Sequence, residues 1–63
     1  MPTSTAPPLT GDDVTHLAVL QDMLTHRRAL VVEREGKSLP ANLERRQVAA
    51  IEAAMRKYGV EPR

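Results

Sequence analysis

The sequence predicts an all-α protein, an antiparallel hairpin of two helices preceded by an extended arm at the N-terminus. No proline or glycine interrupts residues 12–35, and a second such stretch covers residues 41–58. Only a few residues separate the two stretches, and so short a link favours antiparallel packing of the helices that it joins. We therefore expect helices at about 11–35 and 40–58, with a turn at 36–39.

The first helix has a clear start signal in the stretch LTGDDV. Thr10 suits the N-cap position, and Asp13 stands three residues later, which is the spacing of a capping box. Leu9 and Val14 have the spacing of a hydrophobic staple across the same helix start. Gly36 is expected to end the helix because glycine is a weak helix former.

The second helix has a weaker start signal and a stronger end signal. Ser38 is available as a cap, and Pro40 is tolerated in the first turn, where its missing N–H costs nothing. Gly59 fits the left-handed position just after a helix. That position predicts a Schellman motif, in which Met55 and Val60 touch.

A stripe of apolar residues along each helix predicts the seam of the hairpin. In the first helix it contains Leu17, Leu20, Leu24 and Val31. In the second helix it contains Leu43, Ala50, Ile51, Ala54 and Tyr58, with Val48 and Met55 at its edge. Folding the chain about its turn is expected to bring together three pairs: Val32 with Leu43, Leu24 with Ile51, and Leu17 with Tyr58.

Val19, Met23 and Leu30 lie on another face of the first helix and cannot share this seam. A chain of 63 residues buries little apolar surface by itself, so we expect oligomerisation or docking on a larger partner to complete the fold. Each of the three side chains would contribute roughly 1.5–3 kcal/mol if it were fully buried. The alternative is that they are isolated apolar residues of the kind found on any protein surface.

Residues 1–9 are expected to form an extended arm. Pro2, Pro7 and Pro8 exclude a helix interior, and the residues between them are small or polar. Fully extended, eight residues span roughly 27 Å, which is long enough to cross a neighbouring subunit. The alternative is an unattached tail.

Two arginine pairs are expected to meet about halfway along the hairpin and form an arginine belt. The belt consists of Arg27, Arg28, Arg45 and Arg46. None of the four has an Asp or Glu three or four residues away in its own helix, whereas that spacing favours two ion pairs elsewhere, Arg56 with Glu52 and Lys57 with Glu61. The belt is therefore expected to be available to a partner.

Guanidinium groups bind carboxylates and phosphates equally well, so the belt can meet an acidic protein surface, a nucleic-acid backbone or only water. The net charge of +1 and the presence of a single aromatic residue, Tyr58, count against nucleic acid. Nucleic-acid binders usually have a strong basic patch, and those that bind single strands add aromatic rings for base stacking. The sequence leaves the three uses open.

No pattern in the sequence indicates an enzyme or a cofactor site. The chain has no cysteine, and His16 and His26 are poorly placed to share a metal ion. Asp22 and His26 have the i,i+4 spacing of a helix-stabilising pair. The three glycines are too far apart for a phosphate-binding loop. We expect no enzymatic activity, no cofactor, no metal ion and no small-molecule substrate.

These features predict a non-enzymatic structural or accessory subunit that binds a larger protein complex, for example a capsid or another multi-subunit assembly, through its helical faces and its arm. The alternative is a small dimeric regulator that contacts nucleic acid through the arginine belt, and a regulatory subunit of an enzyme is a third option. The N-terminus lacks the segments of a signal peptide, and no apolar run is long enough to cross a bilayer. We expect a cytoplasmic protein, or one inside a virion or other assembly made there, with no membrane partner.

Overall fold

The computed structural model describes residues 8–62, which form two helices packed against each other. Helix α1 spans Gly11–Gly36 and helix α2 spans Asn42–Arg56, with no strand in this part of the chain. The all-α class predicted from the sequence is confirmed. Helix α2 begins two residues later and ends two residues earlier than the expected 40–58.

The two helices run antiparallel. Near the turn, Glu35 of α1 pairs with Arg45 of α2. Farther from the turn, Arg28 of α1 pairs with Glu52 of α2 at 2.8 Å. Residue numbers therefore fall along one helix as they rise along the other, which requires opposite chain directions and makes the fold a hairpin.

The capping box predicted at the start of α1 is confirmed. The Thr10 N–H donates to Asp13 Oδ2 at 2.9 Å, and the Asp13 N–H donates to Thr10 Oγ1 at 3.1 Å. Leu9 and Val14 are both exposed, so the predicted staple buries little surface. Residues 1–7 of the predicted arm lie outside the described residues.

Helix α1 ends at Gly36, but the left-handed residue that turns the chain is Ser38, whose φ is 59°. The Ser38 N–H donates to the carbonyl of Glu35 at 3.1 Å. The Leu39 N–H donates to the carbonyl of Arg34 at 2.8 Å. These are the two bonds of a Schellman motif. The prediction that Ser38 caps α2 is wrong, because Ala41 precedes α2 and no side chain caps it.

The end of the second helical segment follows the prediction. Gly59 has a φ of 79°, and its N–H donates to the carbonyl of Arg56 at 2.9 Å. The Val60 N–H donates to the carbonyl of Met55 at 3.4 Å, which completes a second Schellman motif. Val60 also packs against the core, so this turn holds the residues that follow α2 on the hairpin.

The core is small and lies in the half of the hairpin away from the turn. Its buried members are Leu20, Leu24, Ile51 and Met55. The half-buried residues around them are Leu17, Val48, Ala54, Tyr58 and Val60. Leu24 with Ile51 and Leu17 with Tyr58 lie in one cluster, in agreement with the predicted pairing, while Met55 belongs to the centre of the seam and not to its edge.

The seam near the turn differs from the prediction. Leu43 is 62% exposed and Val32 is 72% exposed, so the expected pair does not form. Ala50 is also exposed. Glu44 is buried in place of Leu43 because it lies seven residues before the buried Ile51, on the same face of α2, whereas Leu43 is turned away by about 80°.

Candidate interaction surface

The hairpin has two long sides, which carry different side chains. Around α1, Arg28 lies about 40° to one side of the buried Leu24, and Met23 lies about 100° to the other side. Arg28 faces Glu52 of α2, and we call this side of the hairpin the ion-pair side. Met23 and, by the same rotation around α2, Ala50 lie on the opposite side, which we call the apolar side.

Two arginines bridge the helices on the ion-pair side. Arg28 Nη2 donates to Glu52 Oε2 at 2.8 Å. Arg45 donates from Nε to Glu35 Oε2 at 2.9 Å and from Nη2 to both oxygens of the same carboxylate. The hydrogen bonds that Arg45 donates to Glu35, together with the negative charge of that carboxylate, raise the pKa of Arg45. Both pairs form in the same axial register of the two helices.

The four arginines of the predicted belt consequently point in different directions. Arg28 and Arg45 lie on the ion-pair side and bind carboxylates of the opposite helix. Arg27 is half-buried, and Arg46 is exposed about 140° around α2 from the inward-facing Ile51. Arg27 and Arg46 form no ion pair with any residue in 8–62. The expectation that all four are available to a partner fails for two of them.

The two ion pairs predicted from i,i+4 spacing, Arg56 with Glu52 and Lys57 with Glu61, are also wrong. Glu52 binds Arg28 of the other helix instead of Arg56. Arg56 binds Glu61 at 3.6 Å, which leaves Lys57 without that carboxylate. The i,i+4 spacing does not fix the partners here, because Arg28 of the opposite helix binds Glu52 and Arg56 binds Glu61.

The apolar side holds the three docking residues predicted from the sequence. Val19 is 49% exposed, Met23 is 41% exposed and Leu30 is half-buried. Helix α2 adds two exposed apolar residues on the same side, Leu43 and Ala50, which were predicted to lie in the seam. The exposed apolar surface therefore extends over both helices and is larger than the three predicted residues.

One polar contact lies at each end of the apolar side. At the open end of the hairpin, His16 Nδ1 and the Tyr58 hydroxyl are hydrogen-bonded, with the two rings 5.5 Å apart and edge-to-face. Near the turn, Arg34 Nε lies 3.4 Å from the buried carboxylate of Glu44. Sequence reasoning missed both contacts, because each joins residues that are far apart in the sequence.

One buried polar atom on this side has no partner. The side-chain oxygen of Gln47 is shielded from solvent and accepts no hydrogen bond from residues 8–62. Gln47 lies about 40° around α2 from Ile51, between the seam and the apolar side. An unsatisfied buried oxygen costs stability, so a donor that reaches it would be favourable.

The described part of the chain contains no cluster of three or more histidine, aspartate or glutamate side chains able to hold a metal ion. His16 is engaged with Tyr58, and His26 is exposed on α1. Neither helix combines the length and the apolar character that crossing a membrane requires. The described surface therefore consists of exposed apolar side chains with charged groups around them.

Comparison with known proteins adds no relative, since no protein-family model, no curated protein and no solved structure matches this chain.

Proposed function

We propose that this chain is a non-enzymatic assembly subunit, which binds a larger protein complex through the apolar side of its hairpin. The proposal rests on one observation: large apolar side chains are exposed on that side, among them Val19, Met23 and Leu43. In this proposal, residues 1–9 extend from the same molecule over a neighbouring subunit.

The balance of buried and exposed apolar surface supports binding. Within residues 8–62 only five apolar residues are buried, of which Leu24 is the most completely enclosed. Covering the exposed half of Val19 or Met23 would contribute roughly 1 kcal/mol each at about 25 cal/mol per Å². For a domain of this size, a few such contacts are comparable to the whole stability of the fold.

The charges of the hairpin support a protein partner over nucleic acid. Arg28 and Arg45 are bound to Glu52 and Glu35, so a phosphate would have to displace carboxylates from them. Of the other two, Arg27 is half-buried and Arg46 is exposed, so the belt does not present four free guanidinium groups to a phosphate backbone. If nucleic acid were the partner, its affinity would fall steeply with salt and would fall further in the Arg27→Ala, Arg46→Ala variant.

Site-specific photo-cross-linking in the producing cell tests the proposal. A photoreactive amino acid at Met23 lies in the proposed contact, and the same amino acid at Ala53 provides the control, because Ala53 is exposed about 160° around α2 from Ile51. We expect adducts with other protein chains from position 23 and none from position 53. Equal labelling from the two positions, or no adduct from position 23, would contradict the proposal.

A further inference from the structure

The exposed face of α1 has the spacing of a coiled-coil seam. Residues recur along it at alternating intervals of four and three, the pattern that keeps side chains facing a partner helix. The stripe comprises Asp12, His16, Val19, Met23, His26, Leu30, Glu33 and Lys37. All of these are exposed except Leu30, which is half-buried, and they lie between about 80° and 180° around the helix from Leu24.

The stripe is complementary to itself when its direction is reversed. If a second α1 lies antiparallel with its centre between Met23 and His26, the facing pairs in each direction are Asp12 with Lys37, His16 with Glu33, Val19 with Leu30, and Met23 with His26. An acidic residue thus faces a basic one at each end, and the apolar pair of Val19 with Leu30 lies on both sides of the central Met23 and His26. No facing pair places two like charges together.

We propose that the partner of this stripe is a second copy of the chain, packed antiparallel through α1 about a two-fold axis between Met23 and His26. This inference rests on the proposed function and names the first partner of the apolar side. A two-fold interface requires a surface that complements itself, and the stripe meets that condition in its charged pair Asp12 with Lys37 and its apolar pair Val19 with Leu30.

The shape of the surface agrees with this arrangement. A shallow depression of about 200 Å³ lies beside Leu30 near the turn. It is lined by Leu30, Glu33, Arg34, Lys37 and Leu39. In the antiparallel pair, Val19 of the second copy faces Leu30 and enters this depression. Lys37 then lies between Glu33 of its own chain, at 3.2 Å, and Asp12 of the second copy.

Disulfide cross-linking tests the register because the natural chain has no cysteine. In the Val19→Cys, Leu30→Cys variant, each cysteine faces the other type in the second copy. Within one chain the two positions are 11 residues apart, roughly 16 Å along the helix, which is too far for a disulfide. We expect mild oxidation to shift the variant to twice the mass of the chain.

The matched control is Gln21→Cys, Val32→Cys. These positions have the same separation, but they lie about 160° to 180° around α1 from the proposed contact. We expect this variant to remain at the mass of the single chain. Circular dichroism of both reduced variants checks that they are helical, and sedimentation of the natural chain over a concentration series gives the same answer without substitution.

The outcomes separate this inference from the proposed function. Equal cross-linking of the two variants, or a natural chain that sediments as a monomer at all concentrations, would overturn the second-copy arrangement. Photo-adducts from position 23 with a larger protein would then still support the assembly role. If position 23 gives no adduct of any mass, the proposed function fails as well.

Discussion

Ser38 and Gly59 turn the chain at the ends of the two helical segments, and they occupy the same place in two Schellman motifs. Both have positive φ, of 59° and 79° respectively. Gly59 adopts this conformation at no steric cost, since it has no Cβ. Ser38 does not share that freedom, and left-handed backbone costs an L-residue with a side chain roughly 1–2 kcal/mol. The turn between the helices is therefore a weak point of the fold.

Replacing Ser38 by glycine is expected to stabilise the hairpin. Relief of the left-handed strain outweighs the greater freedom of glycine in the unfolded chain, which leaves a gain of about 0.5–1 kcal/mol. Urea denaturation followed by circular dichroism measures the free energy of unfolding. Ser38→Ala is the control, because alanine keeps the Cβ and should bring no gain. A stability of Ser38→Gly equal to that of Ser38→Ala would contradict the assignment.

The two helices differ in how their N-termini are closed. Helix α1 has a complete capping box, in which Thr10 and Asp13 satisfy each other's N–H groups. Helix α2 begins after Ala41 with no side-chain cap, and its first turn is held by packing of the buried Ala41 and Glu44. Helix α1 can therefore start by local interactions, whereas the start of α2 depends on contact with α1.

Removing the cap of α1 should lower its stability by a predictable amount. Thr10→Ala removes the acceptor for the Asp13 N–H and is expected to cost about 1 kcal/mol. Thr15→Ala is the matched control. The Thr15 hydroxyl donates to the carbonyl of Gly11 inside the helix, where alanine is the better helix former. We expect Thr15→Ala to be neutral or slightly stabilising in thermal unfolding, and equal losses in the two variants would refute the cap.

For the molecule as a whole, what matters most is that very few side chains hold the hairpin together. Leu24 is fully buried at the centre of a four-residue cluster, while other large apolar residues such as Leu43 stay at the surface. The fold therefore has one essential apolar site and a second apolar surface that contributes little to the isolated hairpin. This division separates residues that fold the chain from those that we propose bind a partner.

Leucine-to-alanine substitutions test that division. Leu24→Ala is expected to cost about 2–5 kcal/mol, which is comparable to the total stability of a domain this short, so most of the chain should unfold. Leu43→Ala removes the same atoms from a residue that is 62% exposed and should change the stability by less than about 0.5 kcal/mol. Chemical denaturation measures both. A large loss from Leu43→Ala would show that it belongs to the core.

Local signals in the sequence were sufficient for the start of α1 and for the turn after α2. The capping box at Thr10 and the left-handed Gly59 depend on residues within a few positions of each other, and both formed as predicted. The exposed stripe with Val19, Met23 and Leu30 is likewise a property of one helix, so its position follows from helical spacing in the sequence. The conformation of Ser38 could not be predicted in this way. No sequence pattern distinguishes a serine with positive φ from a serine that caps a helix.

Contacts between the helices required the folded hairpin. Whether Leu43 or Glu44 enters the seam depends on the rotation of α2 against α1, and the two residues are only about 100° apart. The partner of each arginine depends on the axial register, which brings Glu52 to Arg28 and Glu35 to Arg45. Short-range patterns thus define helices and their exposed faces, while rotation and register, which arise only when two helices pack, select the buried residues and the ion pairs.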